Sequence, residues 1–388
     1  SLNAGGSVVQ NANITATGAG TVDVRAGTAI SMADGVVTST GTGNIRYAAV
    51  GTLTLGALST GGDVSLSASS ISDAGSAVTD SVNVTADELR LVTTGVANGN
   101  GVGTGANHLE VSVTRLAASV QGTGTGGLYV SESDGVQVGT LSAINVNQVG
   151  SDAVVTASTD AAQSDLVSAS SLVLVTLAGS LTSESAGGAI SAAGNTLLQA
   201  LGATSDITLG GELSNTAGHT SVDAARSVVQ NANITATGAG KTVDVLAGTS
   251  IVMGTGAAIA TQDGNVVLTA GAGDVTLESI TAGNANVAIT AGGSIVDRDT
   301  AGDGGVDITA AGLILSAGVG IGAGANHLET SVSTLTASAG AGGVYVTEAN
   351  GVTVSNLTVA VNRVGTDASV LATTVTQEDL TTSSNGSI

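Results

Sequence analysis

The 388-residue sequence contains no Cys, Pro, Trp or Phe, and aromatic residues make up only 1% of it. Without Cys there is no disulfide framework, and the redox compartment is left open. Without Pro, no position is barred from donating to a β-ladder. Tyr47, Tyr129 and Tyr345 are the only aromatics, so a thick core built on large rings is excluded. Any core must be narrow and filled by Val, Leu, Ile and Ala. Basic residues are also scarce, 8 against 30 acidic, for a net charge of −22. That excludes nucleic-acid binding through a basic patch and disfavours attraction to anionic lipid. No apolar run approaches the roughly 18 residues of a membrane helix, so no membrane insertion is expected within this segment.

What is abundant is glycine, with 58 residues, alongside a 42% hydrophobic content. Disordered chains are poor in β-branched apolar residues, so this composition points instead to thin folded layers. Internal duplication is the strongest signal. Ser7–Gly20 reads SVVQNANITATGAG and returns unchanged at Ser227–Gly240, 220 positions later. GANHLE at Gly105–Glu110 returns at Gly324–Glu329, and GLYVSE at Gly127–Glu132 is matched by GVYVTE at Gly343–Glu348. The sequence thus divides into a first copy, residues 1–220, and a second, truncated copy, residues 221–388. The interrupted second copy leads us to expect an excerpt of a longer repetitive protein, since solenoids require capping repeats.

A shorter period is nested inside. Val266, Val287 and Val306 open similar segments at steps of 21 and 19 residues, and Val64 and Val82 are 18 apart. Within each segment apolar and small polar residues alternate, placing one row inside and one in water. Turns such as Ala291-Gly292-Gly293-Ser294 punctuate them. This predicts an all-β parallel β-helix (β-solenoid) of roughly 19 coils with about 18–23 residues each, on the order of 90 Å long at the spacing of paired strands. Short helical turns are expected only at Asp87–Leu91 and Ala161–Leu166.

The segments Gly273–Leu277 (GDVTL), Ile280–Gly283 (ITAG) and Ala291–Ile295 (AGGSI) resemble the degenerate repeats of filamentous-haemagglutinin-like bacterial surface proteins. The long unit, with GVGTGANHLE and GGLYVSESDGV, resembles that of giant bacterial β-strand-repeat proteins. The resemblance spans essentially the whole chain. It implies secretion, a right-handed β-helix, a cell-surface or extracellular location, and adhesive, matrix or filament duties. Its partners would be other copies of itself or a host or matrix surface.

Candidate chemistry is sparse. His108, His219 and His327 are the only histidines, and no further ligands lie beside them in the GANHLE pattern except Glu110 and Glu329. The best cation candidate is Asp297, Asp299 and Asp303, where clustered carboxylates and a Gly turn offer oxygen donors suited to calcium. Its first-copy counterpart, Ser72–Asp80, spaces its carboxylates differently, which favours a solvated loop. Tyr129, Glu132, Tyr345 and Glu348 keep their places in both copies and form a candidate exposed, repeat-matched partner surface. A β-helix polysaccharide-cleaving enzyme would need acidic and basic groups gathered on one face with sugar-stacking aromatics. Here the basic residues are scattered, so a non-catalytic structural or adhesive solenoid is expected, with a self-assembling filament or matrix subunit as the alternative.

Overall fold

Segments such as Val64–Ala68 and Val243–Ala247 alternate with period two and carry no helical period. In the computed structural model, described for residues 1–76, 81–299, 305–383 and 385–388, the regular elements are strands. They stack in parallel as a β-solenoid of about 15 turns. That is fewer than the roughly 19 coils expected from the sequence. Each copy spends part of its length on an antiparallel hairpin that leaves the coil, and several coils are longer than the shortest repeats suggested. Val245 lies 23 positions after Val222, and Leu268 another 23 after that. The residues Asp87–Leu91 lie within the strand Val84–Thr93, and Ala161–Leu166 hold no helix: Gln163 bridges Leu141 and Leu166 opens the strand Leu166–Ser168.

By contact, the chain falls into two compact units, Ser1–Gly194 with Thr366–Ala368, and Asn195–Gly365 with Ser369–Ile388. In unit 1 the coils feed three ladders, and the long strand Val84–Thr93 serves two of them. One ladder stacks Val24, Tyr47, Leu66 and Leu91. A second stacks Val8, Ile30, Leu53 and Ile71. A third stacks Ile14, Thr38, Leu58, Val84, Val111 and Glu132. Unit 2 repeats the design with Leu198, Val222, Val245, Leu268, Ile289 and Leu315 in one ladder. Ile207, Val228, Ile251, Val275 and Ile295 form another, and Leu213, Ile234, Ile259, Ile280 and Ile308 the last. Nearly all these aliphatics are fully buried. At about 1.5–3 kcal/mol for each such side chain, they form the core of the molecule.

One polar cluster of the interior gathers around Tyr47. Tyr47 is fully buried, and its hydroxyl lies 2.7 Å from Thr38 Oγ1 and donates to Gln10 Oε1 at 2.7 Å. Gln10 Nε2 in turn donates to Thr38 Oγ1 at 2.9 Å. Burial pushes the Tyr47 phenol up to about 12, although both hydrogen bonds act in the opposite direction. In unit 2 the matching positions are Leu268 and Ile259, both buried. Phenol and hydroxyl are therefore exchanged as a pair for two aliphatics. Tyr47→Leu alone strands Thr38 and Gln10, and is expected to cost about 2–3 kcal/mol. Adding Thr38→Ile is expected to recover on the order of 1 kcal/mol in a double-mutant cycle followed by chemical denaturation.

The hairpins lie on the outer face of the coils. The first pairs Ile144–Val149 with Val155–Asp160, and the second Leu357–Val364 with Val370–Gln377. Gln163, just beyond the first, donates to the Leu91 carbonyl; Asp160 accepts from Ser65 Oγ at 2.6 Å; Asn147 N–H donates to Thr21 Oγ1 at 2.9 Å. The strap thus runs backwards over successive coils. The second strap does likewise, from Gln377 on the Leu315 carbonyl to Val364 N–H on Ser221 Oγ.

What lies under each strap differs. Beneath the first, buried Asp23 faces Arg25 at 3.3 Å and Arg46 at 3.7 Å, and Arg46 also reaches Asp160 at 3.2 Å. Burial raises the Asp23 carboxyl, against the pull of both arginines. Beneath the second, Val267, Ala288 and Ile314 form an apolar seam with Val359 and Val361, flanked by Leu357 and Val375. The Asp23 position is kept as buried Asp244, but its partner is now Arg363 of the strap itself, at 2.6 Å.

Candidate functional site

Two places gather polar side chains that repeat between the copies. The first lies where the strand Ile295–Asp297 meets the third ladder. One carboxylate oxygen from each of Asp297, Asp307 and Glu329 falls within 4.8 Å of the others. Asp297 and Asp307 are buried and Glu329 is half-buried. Asn326 Nδ2 donates to Asp297 Oδ2 at 2.6 Å and to the Asp299 carbonyl at 2.9 Å, while Glu329 N–H donates to Asp307 Oδ2 at 2.8 Å. Three carboxylates at this range repel unless a proton or a cation intervenes. Their hard oxygens are of the kind calcium takes, but one from each gives only half of the smallest calcium shell of about six.

Of the sequence candidates, only Asp297 supplies a carboxylate to this cluster. Asp299 is adjacent and contributes a backbone N–H, donated to Asp297 Oδ1 at 2.8 Å, and its carbonyl. Asp303 lies outside the described residues. Asp307 and Glu329 escaped sequence reading because they come from successive coils and only stacking brings them together. In the first copy the same place holds Asp73, Asn83, Asn107 and Glu110. Asn83 Nδ2 donates to Asp73 Oδ1 at 2.6 Å, and Glu110 N–H donates to Asn83 Oδ1 at 3.0 Å. The Asn83/Asp307 exchange, visible by aligning the copies, was the available clue. It turns a hydrogen-bonded amide into a third carboxylate.

The second place is the GANHLE loop and the strand stacked on it. His108 is fully buried, with Nδ1 2.8 Å from Ser131 Oγ and Nε2 3.0 Å from the Thr366 carbonyl. Because a carbonyl only accepts, Nε2 carries the proton and Nδ1 accepts from Ser131. Burial holds the imidazole below its ordinary value, opposed by the bond to Thr366. The Tyr129 ring packs at 6.0 Å. In the second copy His327 sits 2.9 Å from Thr347 Oγ1 and 5.9 Å from the Tyr345 ring, yet is only half-buried. His219 is unrelated to either loop. It accepts the Thr242 N–H at 3.1 Å and shares a contact with Asn362.

The expected exposed surface at Tyr129, Glu132, Tyr345 and Glu348 is corrected by the fold. Tyr129 and Glu132 are buried, and Tyr345 and Glu348 are half-buried. Glu132 occupies an inward position of the third ladder. Its carboxyl accepts the Val113 N–H at 3.1 Å and the Asp134 N–H at 3.3 Å. Glu348 does the same for Val332 and Asn350, and also accepts from Thr330 Oγ1 at 2.8 Å. These repeated glutamates therefore satisfy backbone donors where the chain turns away from the ladder. Comparison with protein-family models, with curated proteins and with solved structures finds no match to this chain.

Proposed function

We propose that the chain is a structural or adhesive segment of a long, repetitive extracellular fibre, without catalytic activity. The observation that carries this reading is that duplicated sequence rebuilds duplicated scaffold. The identical segments Ser7–Gly20 and Ser227–Gly240 form matching strands, Val8–Gln10 with Ile14–Thr15 and Val228–Gln230 with Ile234–Ala236. The changes between copies are compensated inside the packing, as with Tyr47/Thr38 against Leu268/Ile259. Such repetition extends a surface rather than perfecting one pocket. Extracellular placement and adhesion rest on the resemblance to filamentous-haemagglutinin-like repeats, and the net charge of −22 supports solubility for a molecule rich in β-ladders.

The discriminating experiment uses the purified chain in two assays. Against a panel of neutral and acidic polysaccharides it is expected to release no new chain ends. Immobilised on beads, it is expected to retain extracellular-matrix or cell surfaces above an albumin control. Turnover that disappears in an Asp297→Asn, Asp307→Asn variant would establish an enzyme and overturn the reading. A self-assembling subunit is the second reading, favoured by the docked His108, whose repeat-matched twin His327 is only half-buried.

A further inference from the structure

The two GANHLE loops and the two strap turns have the same local geometry but different burial. In the loops, Thr104 and Asn107 exchange backbone hydrogen bonds, as do Ala323 and Asn326, and Gly103 and Gly322 take matching φ of 61° and 59°. In the turns, Gly150 N–H donates to the Val154 carbonyl and Gly365 N–H to the Ser369 carbonyl, with Ala153 and Ala368 at φ of 61° and 60°. Within unit 1, the first loop meets Thr366–Ala368. The Thr366 carbonyl accepts from His108, and a Cβ on Gly105 would lie 2.8 Å from the Asp367 carbonyl oxygen and 2.9 Å from its Cα. There His108 and Ala368 are buried.

The other loop and the other turn are open. Gly324 and Ala325 are exposed and His327 is half-buried; Ser151, Asp152 and Ala153 are all exposed. Val149 is 49% exposed, whereas its counterpart Val364 is 3% exposed. Each open element already holds the conformation of its docked twin, so docking would cost little ordering.

We propose that the turn Gly150–Val154 of one chain docks on the loop Gly324–His327 of a second copy, with His327 Nε2 donating to the Ser151 carbonyl as His108 does to that of Thr366. The surfaces differ, so the contact is heterologous. It propagates head to tail rather than closing into a symmetric dimer. This deepens the fibre reading and rests on it only for biological purpose. A chain that stays monomeric removes the contact and leaves the matrix and glycan assays to decide the rest.

Two substitutions isolate the contact. A Cβ on Gly324 meets only the Tyr345 ring, at 3.6 Å, so Gly324→Ala keeps its own fold while placing a methyl where the docked backbone must pass. Ala153→Asn is accommodated at positive φ, because Asn tolerates that region, but fills the position that Ala368 buries in the docked turn. In sedimentation-velocity runs up to about 1 mM, the weak end of specific association, the wild-type chain is expected to form a concentration-dependent series of oligomers. Each variant alone is expected to weaken association at least about tenfold. An equimolar mixture is expected to form pairs and no larger species, because only the intact turn of Gly324→Ala and the intact loop of Ala153→Asn can meet. Monomeric wild type throughout, or association unchanged in both variants, would overturn the proposal.

Discussion

Val359→Asp is expected to lift the second strap from its coils without unravelling them. Val359 is fully buried against Val267, Ala288 and Ile314, so a carboxylate there has neither water nor a partner. The strap is a two-stranded hairpin, marginal on its own in water, and it depends on that seam. Losing the burial of Val359 and Val361 alone removes about 3–6 kcal/mol. The polar anchors that remain run from Asn265 to the Ala360 carbonyl, from the Asn362 N–H to Thr242, from the Val364 N–H to Ser221 and from Gln377 to the Leu315 carbonyl, with the Arg363–Asp244 pair beside them. Together they return a comparable amount, at about 0.5–1.5 kcal/mol for each neutral bond, so the added cost of a buried, unpartnered carboxylate decides the outcome. Hydrogen exchange should show protection lost across residues 357–364 and 370–377, with the ladder through Val245, Leu268 and Ile289 still protected. Uniform loss across the ladder would show instead that strap and coil fold as one unit. The equivalent experiment under the first strap needs a charge change, because there the contact is ionic, through Arg46 and Asp160.

Glu132→Gln is expected to stabilise the protein at neutral and higher pH and to flatten its pH dependence. Burial is the main cause that pushes the Glu132 carboxyl up to about 9, reinforced by the neighbouring Asp134 side chain and opposed by the N–H groups of Asp134 and Val113. A folded value above the unfolded one means that the native state holds a proton the unfolded chain releases. The stability tied to that proton is complete below the ordinary carboxyl value of 4.5 and is lost as pH rises towards about 9. Between pH 5 and 7 the wild type is expected to lose about 1–3 kcal/mol relative to Glu132→Gln, at roughly 1.4 kcal/mol per pH unit. The variant keeps a carbonyl oxygen for Val113, so the loss belongs to the proton. Comparing the two proteins cancels the general repulsion of a chain at −22. Parallel stability curves for both from pH 5 to 9 would refute the assignment.

The sequence by itself determined the class of the fold and its periodicity. The period-two alternation in Val64–Ala68, the glycine turns and the nested repeats point to a parallel solenoid, because stacking successive coils buries rows of Val, Leu and Ile in a thin core that needs no aromatics. It also marked the positions that matter, such as GANHLE and the two glutamates, by repeating them. Their burial was not legible. Glu132 looks like a surface acid until stacking places it in line with Leu58, Val84 and Val111.

The straps were hidden for a related reason. Their strands alternate like coil strands, and antiparallel pairing between Leu357–Val364 and Val370–Gln377 has no signature that a repeat search detects. One local signal did exist. Asn286–Ala291 and Leu313–Ala317 carry consecutive apolar residues, as in Val287-Ala288-Ile289 and Leu313-Ile314-Leu315, where strict alternation would put one residue in water. Such runs mean burial on both faces, and the strap supplies the second. Only the tertiary structure decided what covers that face, and which acids meet. Asp297, Asp307 and Glu329 are joined by the stacking of successive coils, a distance that the chain's own order does not encode.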